Sequence, residues 1–93
     1  MKLISVKVSP NPEKKYVAVF EDPKKTVHFG QKGARDYLKT KDEELKKAYI
    51  ARHRVNENFN NPATAGSLSR HILWGPTTSL QENIKRFKKK FNL

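Results

Sequence analysis

The chain has no cysteine, one methionine and one tryptophan among its 93 residues. Without thiols there are no disulfide staples and no thiolate metal centres, so packing and hydrogen bonds must hold the fold. No apolar run approaches the length that crosses a bilayer. The stretch from Met1 to Pro12 carries Lys7 among its apolar residues and has no cleavage-site pattern, so it is not expected to be a secretory leader. No internal repeat is visible. Acidic residues are scarce too: nine Asp and Glu stand against twenty Lys and Arg, a net charge of +11. A small domain this basic repels itself, and the imbalance points to a polyanionic partner such as nucleic acid, an acidic membrane face or an acidic protein surface.

A chain of this length makes one domain with a modest core. Only 35% of its residues are hydrophobic, but five Phe and three Tyr carry large buried areas and make a core feasible. Residues 1–30 read mainly as strands. Ile4, Val6 and Val8 alternate with polar residues, which predicts an inward apolar face. Tyr16 to Phe20 is apolar on both faces, as a central strand would be, and Asp22-Pro23 marks the turn into a third run from Thr26 to Phe29. Short connections make this a three-stranded antiparallel meander.

The remainder predicts helices over 40–57, 62–74 and 79–91. Thr40-x-x-Glu43 and Ser79-x-x-Glu82 have the form of capping boxes. Asn61 is placed to cap a helix that begins at Pro62, and Gly75-Pro76 to end it, glycine supplying a left-handed cap. The first helix would turn Leu45, Ala48, Tyr49 and Val55 inward. The last would carry Leu80, Ile84, Phe87 and Phe91 on one stripe. The fold class is α+β: a meander covered by two or three helices, with Leu45, Tyr49, Leu68, Ile72, Leu80, Ile84 and Phe87 meeting Val6, Val17, Val19 and Phe29.

The charge is uneven. Residues 61–93 carry six basic groups and one acidic group. Lys85, Arg86, Lys88, Lys89 and Lys90 form the best candidate for polyanion contact, since clustered cations release counterions from a phosphate backbone. Arg52, Arg54 and Arg70 are candidates beside them. The amide-rich segment around His53, Asn56, Asn58, Phe59 and Asn61, together with Trp74, is either a contact surface or a hydrogen-bonded corner between helices; asparagines at helix ends favour the corner. Trp74 beside a Gly-Pro stop is expected in the core.

Catalytic signals are thin. His53, Asn61 and His71 superficially suggest a His-Asn-His nuclease, but His53 falls late in a helix with no adjacent acidic partner. The three histidines are too scattered for a metal site. His28-Phe29-Gly30-x-x-Gly33 lacks the Gly-Lys-Ser/Thr ending of a phosphate loop. No catalysis, cofactor or small-molecule substrate is expected.

The series KKYVAVFEDPKKTVHFG, then KGARDYL, then the segment from Lys41 to Phe91 resembles a group of short basic proteins encoded by large nucleocytoplasmic DNA viruses, notably algal viruses and their relatives. The likeness spans about residues 14–91. It is sharpest from Tyr49 through His53, at Asn56-Glu57-Asn58, Asn61-Pro62 and Thr64-Ala65-Gly66, and over Leu68-Ser69-Arg70 and Ile72-Leu73-Trp74. The pattern of that group commonly has tryptophan where this chain has Phe59 and His71, so an aromatic corner is thinner here. The resemblance implies a viral origin, and brings no catalytic residues. With the charge, it implies a virion structural component, a minor capsid or internal protein, made in the host cytoplasm or nucleus. Its partners would be other virion proteins or viral DNA. A sequence-nonspecific nucleic-acid-binding accessory protein is the alternative.

Overall fold

In the computed structural model, which describes residues 1–55 and 57–93, the N-terminal third is a three-stranded antiparallel sheet in the order β1-β2-β3. The strands are β1 (Lys2–Val8), β2 (Lys14–Glu21) and β3 (Lys25–Gln31). Four helices follow: α1 (Tyr37–Thr40), α2 (Glu43–His53), α3 (Ala65–Leu68) and α4 (Leu80–Phe91). α3 runs directly into a π-helical turn at Ser69–Leu73. The protein is thus α+β, with β2 central in its meander.

Period-two alternation decides which residues reach the core. On β2, Ala18 and Phe20 are fully buried. Val17 and Val19 alternate with them and stay half-buried, which corrects the expectation that these valines are core residues. β1 departs from simple alternation. Leu3 pairs with Phe20 and Ser5 with Val19, so Ile4 is an extra residue in a β-bulge. The bulge sends Leu3 inward and leaves Ile4 51% exposed. Val8, at the end of its strand, is 75% exposed. The inward face expected of Ile4, Val6 and Val8 therefore reduces to Leu3 and a partly buried Val6.

The β2–β3 turn holds Asp22 at φ 56° followed by a cis peptide to Pro23. Phe20, Phe29, Leu68, Ile72 and Phe87 are the large apolar side chains at the centre of the core, with Tyr37, Tyr49 and Trp74 around them.

Several helix ends differ from the sequence reading. α2 is capped by Asp42, whose Oδ1 accepts from the amides of Glu44 at 2.9 Å and Leu45 at 3.3 Å. Thr40 is not the cap. It ends α1, and its hydroxyl donates to the Asp36 carbonyl at 2.8 Å. α2 stops at His53, which leaves Val55 78% exposed; Ala48 is also exposed. α3 starts at Ala65 under a Thr64 cap that accepts from Ser67 N at 3.1 Å. Asn61 instead bonds Ala63 N at 3.1 Å in the preceding turn, so Pro62 lies outside the helix.

Gly75 is not a left-handed cap either; the π turn ends at Trp74 with φ −115°. Glycine is required there for space. A Cβ would run into the His71 carbonyl and lie 2.9 Å from the Asn83 amide.

Candidate polyanion interface

α4 owes its orientation to one apolar stripe. Phe87 is buried, and Leu80, Ile84 and Phe91 pack against the core. Ser79 caps its start by accepting from Glu82 N at 3.3 Å, and Asn92 closes its end at φ 55°. Lys88, Lys89 and Lys90 sit in the last turn, where cations favour the helix dipole. With the stripe held inward, Lys85, Arg86, Lys88, Lys89 and Lys90 are all exposed. Among the described residues, Arg86 is the only one of the five in an ion pair, with Glu82 at 3.2 Å.

A groove of about 290 Å³ lies where α4 meets α2 and the π turn. Four cations line it: Lys46 from α2, Arg70 from the π turn, and Arg86 and Lys90 from α4, with His71 and Phe87 among the walls. Among the described residues, no carboxylate lines it. Arg70 is held in place because its Nη1 donates to the Trp74 carbonyl at 2.8 Å. The π turn makes this reach possible, since its wider loop bonds Trp74 N to the Ser69 carbonyl at 2.9 Å.

His71 stands behind this charge. Its Nε2 lies 2.9 Å from the Phe59 carbonyl, which can only accept, so Nε2 carries the proton. Burial is the main force pulling its pKa below the usual 6.5, and the charges of Arg70 and Lys90 add to it. A depressed pKa means that the unfolded chain binds the proton more tightly. The contribution of neutral His71 to stability is therefore intact above 6.5 and lost as pH falls through its folded-state pKa. Urea unfolding at pH 7.5 and 5.5 is expected to show a smaller loss of stability on acidification for His71→Gln than for the parent. An equal loss would mean that His71 is solvated.

The remaining candidates lie elsewhere. Arg52 lines a separate cleft of about 470 Å³ below α2, and Arg54 is the C-terminal cap of that helix. In this cleft His53, Tyr49 and Trp74 form a stack, with centroid separations of 4.2 and 4.6 Å. Tyr49 has both ring faces covered, and burial, reinforced by the charge of Glu57, pushes its phenol up to about 12. It stays protonated at neutral pH and is no general base.

The asparagine-rich segment turns its polar groups onto its own backbone. Asn58 accepts from Asn60 N at 3.0 Å, and the Phe59 carbonyl takes both His71 and, at 3.2 Å, the Ser67 hydroxyl. Trp74 is 7% exposed. Of the corner candidates, Asn56 lies outside the described residues. Among those residues, no three His, Asp or Glu side chains group to hold a metal. His28 is bonded through Nδ1 to the Ser9 hydroxyl at 2.7 Å.

The structure therefore gathers Arg70, Arg86 and Lys90 into the groove, leaves Lys85, Lys88 and Lys89 on the outer face, and separates Arg52 and Arg54 from both. Lys46 was missed by the sequence reading. It lies three residues before Tyr49 on the margin of the buried helix face, so its edge position was visible, but which neighbouring helix it faces was not.

No helix among the described residues is long and apolar enough to cross a membrane. A search of curated proteins and of solved structures returned no match to the chain. A family model matches the chain from within β1 to the end of α2 and stops before the π turn and α4: over residues 4–53, more than half of its length, the chain matches a family of unknown function, DUF5754, and belongs to that family.

Proposed function

We propose that the protein is a non-catalytic virion component of a large DNA virus, a minor capsid or internal protein held in place through the positive face of α4. The observation that carries this reading is the row of five exposed cations on a helix whose opposite side is anchored in the core. Such a helix presents charge on a rigid support and needs no reorganisation to meet a polyanion. The viral setting rests on the sequence resemblance.

The groove favours a second reading, a sequence-nonspecific nucleic-acid-binding accessory protein, because convergent cations suit phosphate oxygens. The test of α4 as the contact is binding of labelled duplex DNA across a salt series. Affinity is expected to fall steeply with salt. Lys88→Ala, Lys89→Ala and Lys90→Ala together are expected to weaken all duplex sequences alike and to lower the salt slope by about 3, roughly one per lost phosphate contact. An unchanged slope would remove α4 from the contact. Quantifying the protein in purified particles separates the two readings: stoichiometric copies support a structural component, and absence supports the accessory protein.

A further inference from the structure

We infer that the groove between α2, the π turn and α4 is a phosphate seat in which one phosphodiester of a nucleic-acid strand is held, so that the outer lysines of α4 fall on the flanking phosphates. This deepens the reading of α4 as a polyanion contact and rests on it.

Four cations from three separate elements, Lys46, Arg70, Arg86 and Lys90, line a space of about 290 Å³. Surface lysines that serve only solubility spread apart, because like charges repel. Here the fold places them along one groove whose lining, among the described residues, includes no carboxylate. Glu82, which meets Arg86 at 3.2 Å, is not part of the lining. Lys46 is oriented by the Tyr37 ring, whose centroid lies 4.5 Å from its ammonium, and Arg70 by the Trp74 carbonyl. Two of the four charges are thus held before any ligand arrives, which lowers the ordering cost of binding. Phe87 and half-buried His71 wall off water on one side, where an anion–cation contact is stronger than in bulk solvent. Four of its seven lining residues are cationic. Its chemistry fits an oxyanion.

The shared ligand chemistry is the phosphate group, from a nucleic-acid backbone or from free phosphate. Two variants with equal charge loss separate the groove from general charge: Lys46→Gln with Lys90→Gln inside it, and Lys85→Gln with Lys89→Gln on the outer face. Both pairs are on the helix surfaces, and circular dichroism checks that each folds. Against a labelled duplex at fixed ionic strength, the groove pair is expected to weaken binding about ten-fold more than the outer pair. Inorganic phosphate, compared with chloride at matched ionic strength, is expected to raise the melting temperature of the parent and not of the groove pair. Equal weakening by the two pairs would overturn the phosphate seat while leaving α4 as a diffuse polyanion contact. A groove-dependent phosphate response with no duplex binding by the parent would keep the seat, reassign it to a free phosphate ligand and overturn the nucleic-acid part. Failure of the parent to respond to either probe would overturn both.

Discussion

Replacing Lys15 by Met is expected to lower the unfolding free energy by about 3–5 kcal/mol, the usual penalty for leaving one member of a buried ion pair without its partner. The side chains of Lys15 and Asp36 are 9% and 3% exposed, and Nζ meets Oδ2 at 2.5 Å. The same ammonium donates to the Ala34 carbonyl at 2.5 Å. The other carboxylate oxygen of Asp36 caps α1 by accepting from Lys39 N at 2.9 Å. One side chain of the central strand thereby fixes the start of the helical half. A loss of this size is a large fraction of the roughly 5–15 kcal/mol available to an ordinary small domain.

The double variant Lys15→Met, Asp36→Asn separates the charge effect from packing. It removes both charges and retains an oxygen able to cap α1, so it is expected to be more stable than Lys15→Met alone. Urea denaturation at pH 7 of the parent, Lys15→Met, Asp36→Asn and the double variant measures the coupling. A Lys15→Met cost below about 1 kcal/mol would mean that the pair behaves as a solvated surface bridge.

Asn83→Ala is expected to cost about 3 kcal/mol, because it takes the partner from the buried Ile72 carbonyl and from three half-buried polar groups of Thr77. Asn83 is completely buried in α4. Its Nδ2 donates to the carbonyls of Ile72 and Thr77, both at 2.8 Å, and its Oδ1 accepts from the Thr77 amide at 3.0 Å and the Thr77 hydroxyl at 2.6 Å. The amide therefore closes the loop between the π turn and α4, and bare Gly75 gives it room. For a domain of this size, 3 kcal/mol corresponds to a fall in melting temperature of roughly 12–24 °C.

Asn83→Asp is the discriminating control. It keeps the shape but replaces a double donor with oxygen facing two carbonyls. If hydrogen bonding is the cause, Asp should be at least as damaging as Ala. If Asp melts close to the parent, the site matters for its volume alone. Because Arg70 reaches the Trp74 carbonyl at the start of this same loop, loss of Asn83 is also expected to loosen the groove.

The meander was legible because strand patterns and short turns are local. The hydrophobic stripe of α4 was legible for the same reason: Leu80, Ile84, Phe87 and Phe91 keep a helical period whatever they pack against. Where local signals competed, sequence reasoning chose the wrong cap. Thr40 and Asp42 are both good caps, but Thr40 is the last residue of α1 and its hydroxyl oxygen accepts from Asp42 N at 3.3 Å, so the amides that open α2 fall to Asp42. Asn61 engages Ala63 N with its side-chain oxygen in the preceding turn, and Thr64 caps α3. The bulge at Ile4 leaves no mark in the alternation of apolar residues that would distinguish it from a regular strand. Long-range partners were invisible: Lys15 looks like any surface lysine until Asp36, 21 residues away, is folded against it. The candidate site was half-legible. Its α4 members stood out as a charge run, whereas the joining of Lys46 and Arg70 to that run depends on three elements meeting.

The bulge in β1 bears on how copies of this protein share a crowded surface. β1 is an outer strand of the sheet, with backbone donors and acceptors free to join a neighbour's strand. Edges of this kind pair when two copies of a protein lie side by side. A kink at Ile4 and lysines at positions 2 and 7 spoil the match between two such edges, one by shape and the other by repulsion. One extra residue in a seven-residue strand is thus enough to make two β1 edges a poor match.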